Sequence, residues 1–258
     1  MYQGRMGVKF MIYDNFNFSP YLIIQDIGRP LLPPRRITDK SIFGKSGSYF
    51  FGVQHEPIEI PVKVSFYEDI QLTYREKTRL IAGRLNKTEP KQLIFEDEPN
   101  VYINGIIRDS TDIDNLIRAG TSVLRFYCPD PFYYEIVDEV FTFNEVGTYD
   151  IEREKGNIES LPTIEIRGVN HGGEIIIETD TTKITFNGLL DEGEVLVFDS
   201  KFITSYIIET NGERRSGNND IDTMIFPYLI VGPNRLKVST NGNAVVNEIK
   251  VYANSRWV

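Results

Sequence analysis

Between Ile58 and Phe66 the apolar residues Ile58, Ile60, Val62, Val64 and Phe66 alternate with Glu59, Pro61, Lys63 and Ser65. A period of two sends alternate side chains to opposite faces of an extended chain, so this segment predicts a half-buried strand. The alternation returns at residues 163–167, 183–186 and 247–252. Residues 174–178 and 205–209 are denser in isoleucine and predict strands buried on both faces. One segment has the helical period instead. Thr73 and Glu76 form a capping-box start, and Tyr74, Ile81 and Leu85, flanked by Leu80 and Ala82, give an apolar stripe. Pro90 blocks continuation, and the helix is expected to run to Asn86. A second helical turn is expected at residues 112–119.

After Phe141 and Phe143 the chain passes Gly147 and a polar run from Glu152 to Asn157. Beyond that run, short strand-like segments recur between turns at Gly172-Gly173, Asn187-Gly188, Glu192-Gly193, Asn211-Gly212 and Asn241-Gly242. Many short strands joined by Gly/Asn turns, without a helix, predict a β-sandwich or jelly roll. The length of 258 residues suits two domains. The expected division is residues 1–140 and 141–258. The fold class expected is mainly β: an N-terminal β-sandwich-like domain with one helix, then a C-terminal jelly-roll β-sandwich. Aromatics at 12%, mostly Phe and Tyr, favour the same assignment.

The charge narrows the function. Lys and Arg number 28 against 37 Asp and Glu, net −9, which is not the electrostatic footprint of a nucleic-acid-binding protein or of docking on an anionic membrane. No apolar run approaches the roughly 18 residues of a membrane span, and the first residues lack a signal-peptide apolar region. A single cysteine, Cys128, and two histidines, His55 and His171, provide neither an internal disulfide nor zinc spacing. The chain is expected to be soluble and made in a reducing compartment.

Gly44-Lys45-Ser46 ends like a phosphate-binding loop, but Asp39 stands where that motif needs its first glycine and no helix follows. It predicts a Gly-rich turn between strands. His55 and His171 have no Gly-x-Ser-x-Gly elbow and are expected in exposed loops. The acidic clusters Glu96-Asp97-Glu98 and Asp191-Glu192-Gly193-Glu194 could supply a glycosidase pair, yet both fall in predicted turns. Asn218-Asn219-Asp220-Ile221-Asp222 has oxygens suited to calcium but no complete loop motif. Trp257, one residue from the end of the sequence, makes a poor carbohydrate platform. No catalytic, cofactor-binding or metal-ligating residue is predicted, and no cofactor.

A set of segments in order carries more information than any of these. Tyr13-Asp14-Asn15-Phe16-Asn17 and Tyr21-Leu22-Ile23-Ile24 are followed by Arg29-Pro30-Leu31-Leu32-Pro33-Pro34 and Phe43-Gly44-Lys45-Ser46-Gly47. Then come the strand Ile58–Phe66, the helix ending Ala82-Gly83-Arg84-Leu85-Asn86, Pro90-Lys91-Gln92-Leu93-Ile94-Phe95 and Glu98-Pro99-Asn100-Val101-Tyr102. The most specific piece runs from Leu124 through Cys128-Pro129-Asp130-Pro131 to Tyr134, and Phe226 to Leu236 provides a late counterpart. In order and spacing the chain resembles the distal tail proteins (Dit) of siphophages and prophages of Gram-positive bacteria. Phe43 departs from the small residue or proline that many members carry before the glycine.

The resemblance implies a structural protein rather than an enzyme. It implies a homo-hexameric ring, built mainly by the N-terminal domain, that joins the major tail tube protein to the tail-associated fibre or lysin protein or to a receptor-binding protein. It also implies a galectin-like C-terminal jelly roll and a place at the phage tail tip in the virion, after synthesis in the host bacterial cytoplasm. DNA would pass through the lumen without specific binding, for which a chain at −9 is suited, and no membrane is involved. No interface residue is assigned. The alternatives are a carbohydrate-binding β-sandwich module for host-surface recognition and a cell-wall hydrolase using Glu96 or Asp191.

Overall fold

The computed structural model describes residues 10–66, 73–108 and 121–258. The chain divides into two compact units, Met1–Tyr133 with Val258, and Tyr134–Trp257.

In the first unit the strands are β1 (Met11–Tyr13), β2 (Phe16–Asn17), β3 (Leu22–Ile27), β4 (Arg35–Ser41), β5 (Ser48–His55), β6 (Ile58–Phe66), β7 (Lys91–Phe95), β8 (Val101–Ile107) and β9 (Thr121–Cys128), with helix α1 (Tyr74–Leu85) between β6 and β7; β10 (Tyr133–Glu135) starts on its last residue and runs on into the second unit. Seven of them pair antiparallel in the order β2-β1-β7-β8-β9-β6-β3. Strand β8 joins the two halves of this path, meeting β7 through Ile103–Gly105 and β9 through Ile106–Ile107. The alternation read in β6 is realised: Ile58, Ile60, Val62 and Val64 are buried and Lys63 is exposed. They join Met11, Tyr13, Leu93, Phe95, Leu124 and Phe126 in one core, into which α1 inserts Ile81 and Leu85.

The helix starts as its sequence dictates. Glu76 N–H donates to Thr73 Oγ1 at 3.4 Å and Thr73 N–H to Glu76 Oε2 at 2.8 Å, and Asn86 caps the other end. Tyr74 is exposed rather than buried. The inward face follows the spacing of four through Lys77, Ile81 and Leu85, which leaves Tyr74 on the side of the first turn. The turn expected at 112–119 lies outside the described residues.

The second unit is an antiparallel two-sheet sandwich. Its strands are β11 (Val140–Phe143), β12 (Gly147–Arg153), β13 (Thr163–Asn170), β14 (Glu174–Thr179), β15 (Lys183–Phe186), β16 (Val195–Asp199), β17 (Thr204–Ile208), β18 (Arg214–Ser216), β19 (Gly232–Asn241), β20 (Ala244–Tyr252) and β21 (Arg256–Trp257). One sheet runs β11-β20-β13-β16-β17-β18 and the other β12-β19-β14-β15. Ile164, Ile166, Ile249 and Val251 from the first pack with Ile175, Ile177, Leu236 and Val238 from the second. Strands β14 and β17 are buried on one face only: Ile176, Tyr206 and Ile208 are half-exposed, contrary to the expectation from isoleucine density. Each lies in one sheet of a sandwich, so only one of its faces meets the core.

The units part at 133/134, against the 140/141 expected. Residues 134–139 are knitted into the sandwich: Lys201 Nζ donates to the Tyr134 hydroxyl at 3.0 Å and Trp257 Nε1 to Glu135 Oε1 at 2.9 Å. Glu139 accepts from the backbone N–H groups of Glu154 and Lys155.

Candidate assembly surface

The residues singled out in the sequence for catalytic potential are dispersed over the fold, and most of the carboxylates are ion-paired or hydrogen-bonded. His55 ends β5 half-buried, its ring edge-on to Phe132 at 5.2 Å, so it is a strand residue rather than a loop one. His171 sits in an exposed turn, 2.7 Å from the Asp191 carboxylate. Glu96, Asp97 and Glu98 lie at the turn after β7, where Arg29 binds both Asp97 and Glu98. Glu194 is buried, pairs with Arg215 at 2.7 Å and accepts the Asp191 N–H at 2.9 Å. Asn218 Oδ1 accepts the Ser205 N–H at 2.6 Å and Asp222 Oδ1 the Thr185 N–H at 2.8 Å, so these side chains fasten the turn to the sheet. Among the described residues no group of three or more His, Cys, Asp or Glu side chains could hold a metal ion. Nor is any helix among them long and apolar enough to cross a membrane.

Two tyrosines on the outer face of the six-stranded sheet are likewise engaged. The Arg214 guanidinium lies 4.6 Å from the Tyr206 ring centroid, and the Tyr252 hydroxyl donates to Glu165 at 3.3 Å. A depression beside β14 and β19 is lined by Glu178, Asp180, Arg235 and Lys237, but Lys237 pairs with Glu178 and the Arg235 N–H donates to Asp180.

The outstanding surface is the hairpin of β4 and β5. Among the described residues these strands pair only with each other, from Arg35↔His55 to Ser41↔Ser48. Gly44-Lys45-Ser46 forms the tip, with Gly44 and Gly47 at positive φ of 82° and 84°, so the phosphate-loop lookalike is the Gly-rich turn expected. Lys45 Nζ donates to the Tyr49 hydroxyl at 2.6 Å. The register shifts between Thr38 and Asp39, where Phe51 becomes the extra residue of a bulge beside Gly52.

Ile37 faces Val53 across the pair and Asp39 faces Phe50, so Ile37, Val53 and Phe50 share one side, together with the charged Arg35 and Asp39. Arg36↔Gln54, Thr38↔Gly52 and Lys40↔Tyr49 form the other, polar side. Ile37, Phe50 and Phe51 are 63%, 66% and 67% exposed. Every residue of β4 is exposed. A two-stranded ribbon is marginal in water by itself, and so many exposed large apolar side chains on one ribbon mark an interaction site. Four basic residues (Arg35, Arg36, Lys40, Lys45) against Asp39 make the ribbon net positive on an acidic chain. We call it the arm. The sequence carried its signal, β-branched and aromatic residues flanking a Gly-rich tip, but not the information that no described residue covers it.

Residues 16–128, which include the arm, match the family model described as phage tail protein RIFT-related domain. The matched stretch lies within the N-terminal unit. Over its whole length the chain also has the fold of SPP1 Dit (gp 19.1), described as a paradigm of the hub adsorption apparatus in phages infecting Gram-positive bacteria. That match has a TM-score of 0.74 at 17% identity and covers 98% of this chain and 100% of that one. A chain of the phage p2 baseplate in its activated conformation with Ca aligns with a TM-score of 0.51 at 11% identity, covering 97% and 99%. No curated protein matches the sequence. The family-model match and the shared fold bear out the resemblance to siphophage distal tail proteins and the mainly-β fold class.

Proposed function

We propose that this protein is a hub of the phage tail tip: a structural, non-catalytic subunit that assembles into a hexameric ring between the tail tube protein and the tail-tip fibre, lysin or receptor-binding apparatus. The arm carries this reading. Among the described residues nothing covers the exposed apolar side chains of the arm, which calls for a second chain. A cyclic ring needs a head-to-tail contact between two different faces, and an arm projecting from one copy onto the body of the next has that form. The fold shared with SPP1 Dit supports the hub role.

Light scattering after size exclusion, with negative-stain imaging of the peak, tests the proposal. Six chains of 29.7 kDa give about 178 kDa and a particle with a central hole. A chain that stays monomeric at high concentration, alone and with the tail tube protein, contradicts it.

A further inference from the structure

We propose that Arg29 is the positioning residue of the arm: its ion-paired fork fixes the direction in which β4 and β5 leave the sheet, and thereby controls assembly of neighbouring copies. This rests on the reading of the arm as the surface through which copies of this chain assemble.

The arm is reached from β3 through a strap of residues 28–34. At its start the Gly28 N–H donates to Pro61 O at 2.8 Å, and a Cβ on Gly28 would lie 2.7 Å from Pro61 Cγ, so the strap leaves in close contact with β6. Arg29 follows. One terminal nitrogen of its guanidinium donates to Glu98 Oε2 at 2.6 Å and the other to Asp97 Oδ1 at 2.7 Å. The same group lies 4.7 Å from the Phe95 ring centroid and 5.8 Å from that of Tyr133. Its side chain is 19% exposed against 54% for each carboxylate. A planar fork seated between two acids and over aromatic rings has one orientation, which a flexible ammonium cannot reproduce.

Beyond Arg29 the strap is stiff, with Pro30, Pro33 and Pro34 fixing φ at three of five positions. The next backbone bond, Glu56 N–H to Pro34 O at 2.8 Å, and the Arg36–Glu56 ion pair at 3.0 Å close the root of the arm on itself. Among the described residues, the hydrogen bonds tying the strap to the sheet are those of Gly28 and Arg29. The returning leg is steadied by His55 against Phe132. A stiff strap held at its base transmits any rotation of the base to the whole arm, so an error at Arg29 is magnified at Phe50.

The test uses the full chain. Three variants, R29A, R29K and the arm variant I37D/F50D, are compared with wild type for the concentration at which assembly is half complete, the thermal midpoint of the dilute chain, and the rate of tryptic cleavage at Arg35, Arg36, Lys40 and Lys45. R29A is expected to raise the half-assembly concentration at least tenfold and to speed arm cleavage, with little change in the thermal midpoint. R29K should recover part of the assembly. If R29A proves unstable, D97N/E98Q removes the same pairing from two half-exposed side chains and should shift assembly likewise. Wild-type assembly by R29A, or by D97N/E98Q where R29A does not fold, overturns the proposal provided that I37D/F50D is defective. Wild-type assembly by I37D/F50D instead overturns the arm reading itself.

Discussion

Tyr13 and Cys128 illustrate how burial at single positions sets the protein's pH limits. Both are fully buried in the N-terminal core, with the Tyr13 hydroxyl donating to Gly105 O at 3.1 Å. Burial, chiefly, pushes the Tyr13 phenol from 10.0 up to about 12 and the Cys128 thiol from 9.0 up to about 12. The folded chain therefore holds these protons more tightly than the unfolded one. The stabilisation is complete below about pH 9 and is lost as pH rises toward 12. Denaturant melts across pH 8–11 should show stability falling steadily on the alkaline side, and C128A should flatten the part of the fall that begins near pH 9. Arg153 is another residue whose role only the structure exposes. It is fully buried in the sandwich, where its Nε donates to Ile230 O at 2.9 Å and a terminal nitrogen to Ile158 O, holding two irregular segments together. In the sequence it stands within the polar run of residues 152–157 and reads as a solvated linker charge, because its acceptors are backbone carbonyls, one of them 77 residues away.

Elements were legible where a local rule governs them. The capping box at Thr73 and Glu76 forms as written, since both bonds lie within one helical turn. T73A is expected to cost about 1 kcal/mol by leaving the Glu76 N–H without its cap, which urea denaturation would measure; no loss would mean that packing of Ile81 and Leu85 alone sets the helix start. The alternating strands were equally plain, because one buried face imposes the period. The arm was not. Its residues look like an ordinary hairpin, and periodicity says that a face is buried without saying which chain buries it. The isoleucine-rich β14 misleads for a related reason: composition reports the apolar content of a strand, while the placing of its sheet decides how many faces meet the core.

For the whole molecule, charge distribution revises a simpler expectation. Residues 1–133 carry 17 basic and 16 acidic side chains, net +1, whereas 134–257 carry 11 basic and 21 acidic, net −10. The acidity therefore belongs to the sandwich, and the overall −9 does not describe the N-terminal unit. The division into two units was visible as a change in texture along the chain. Its position was not, because residues 134–139 join the sandwich through Lys201, Trp257 and the segment 153–155, contacts far away in sequence. The resemblance to distal tail proteins was legible from the order of many modest motifs rather than from any single one, and the family-model match over residues 16–128 falls on most of them.

The most direct test of the central claim, that the arm is the surface through which copies assemble, is hydrogen–deuterium exchange over residues 35–55, compared between concentrated assembled protein and the dilute chain. The account predicts slow exchange of the arm in the assembly and fast exchange on dilution, while the β6 and β9 amides stay protected in both. An arm that exchanges equally fast in the two states, with the assembly intact, would contradict it.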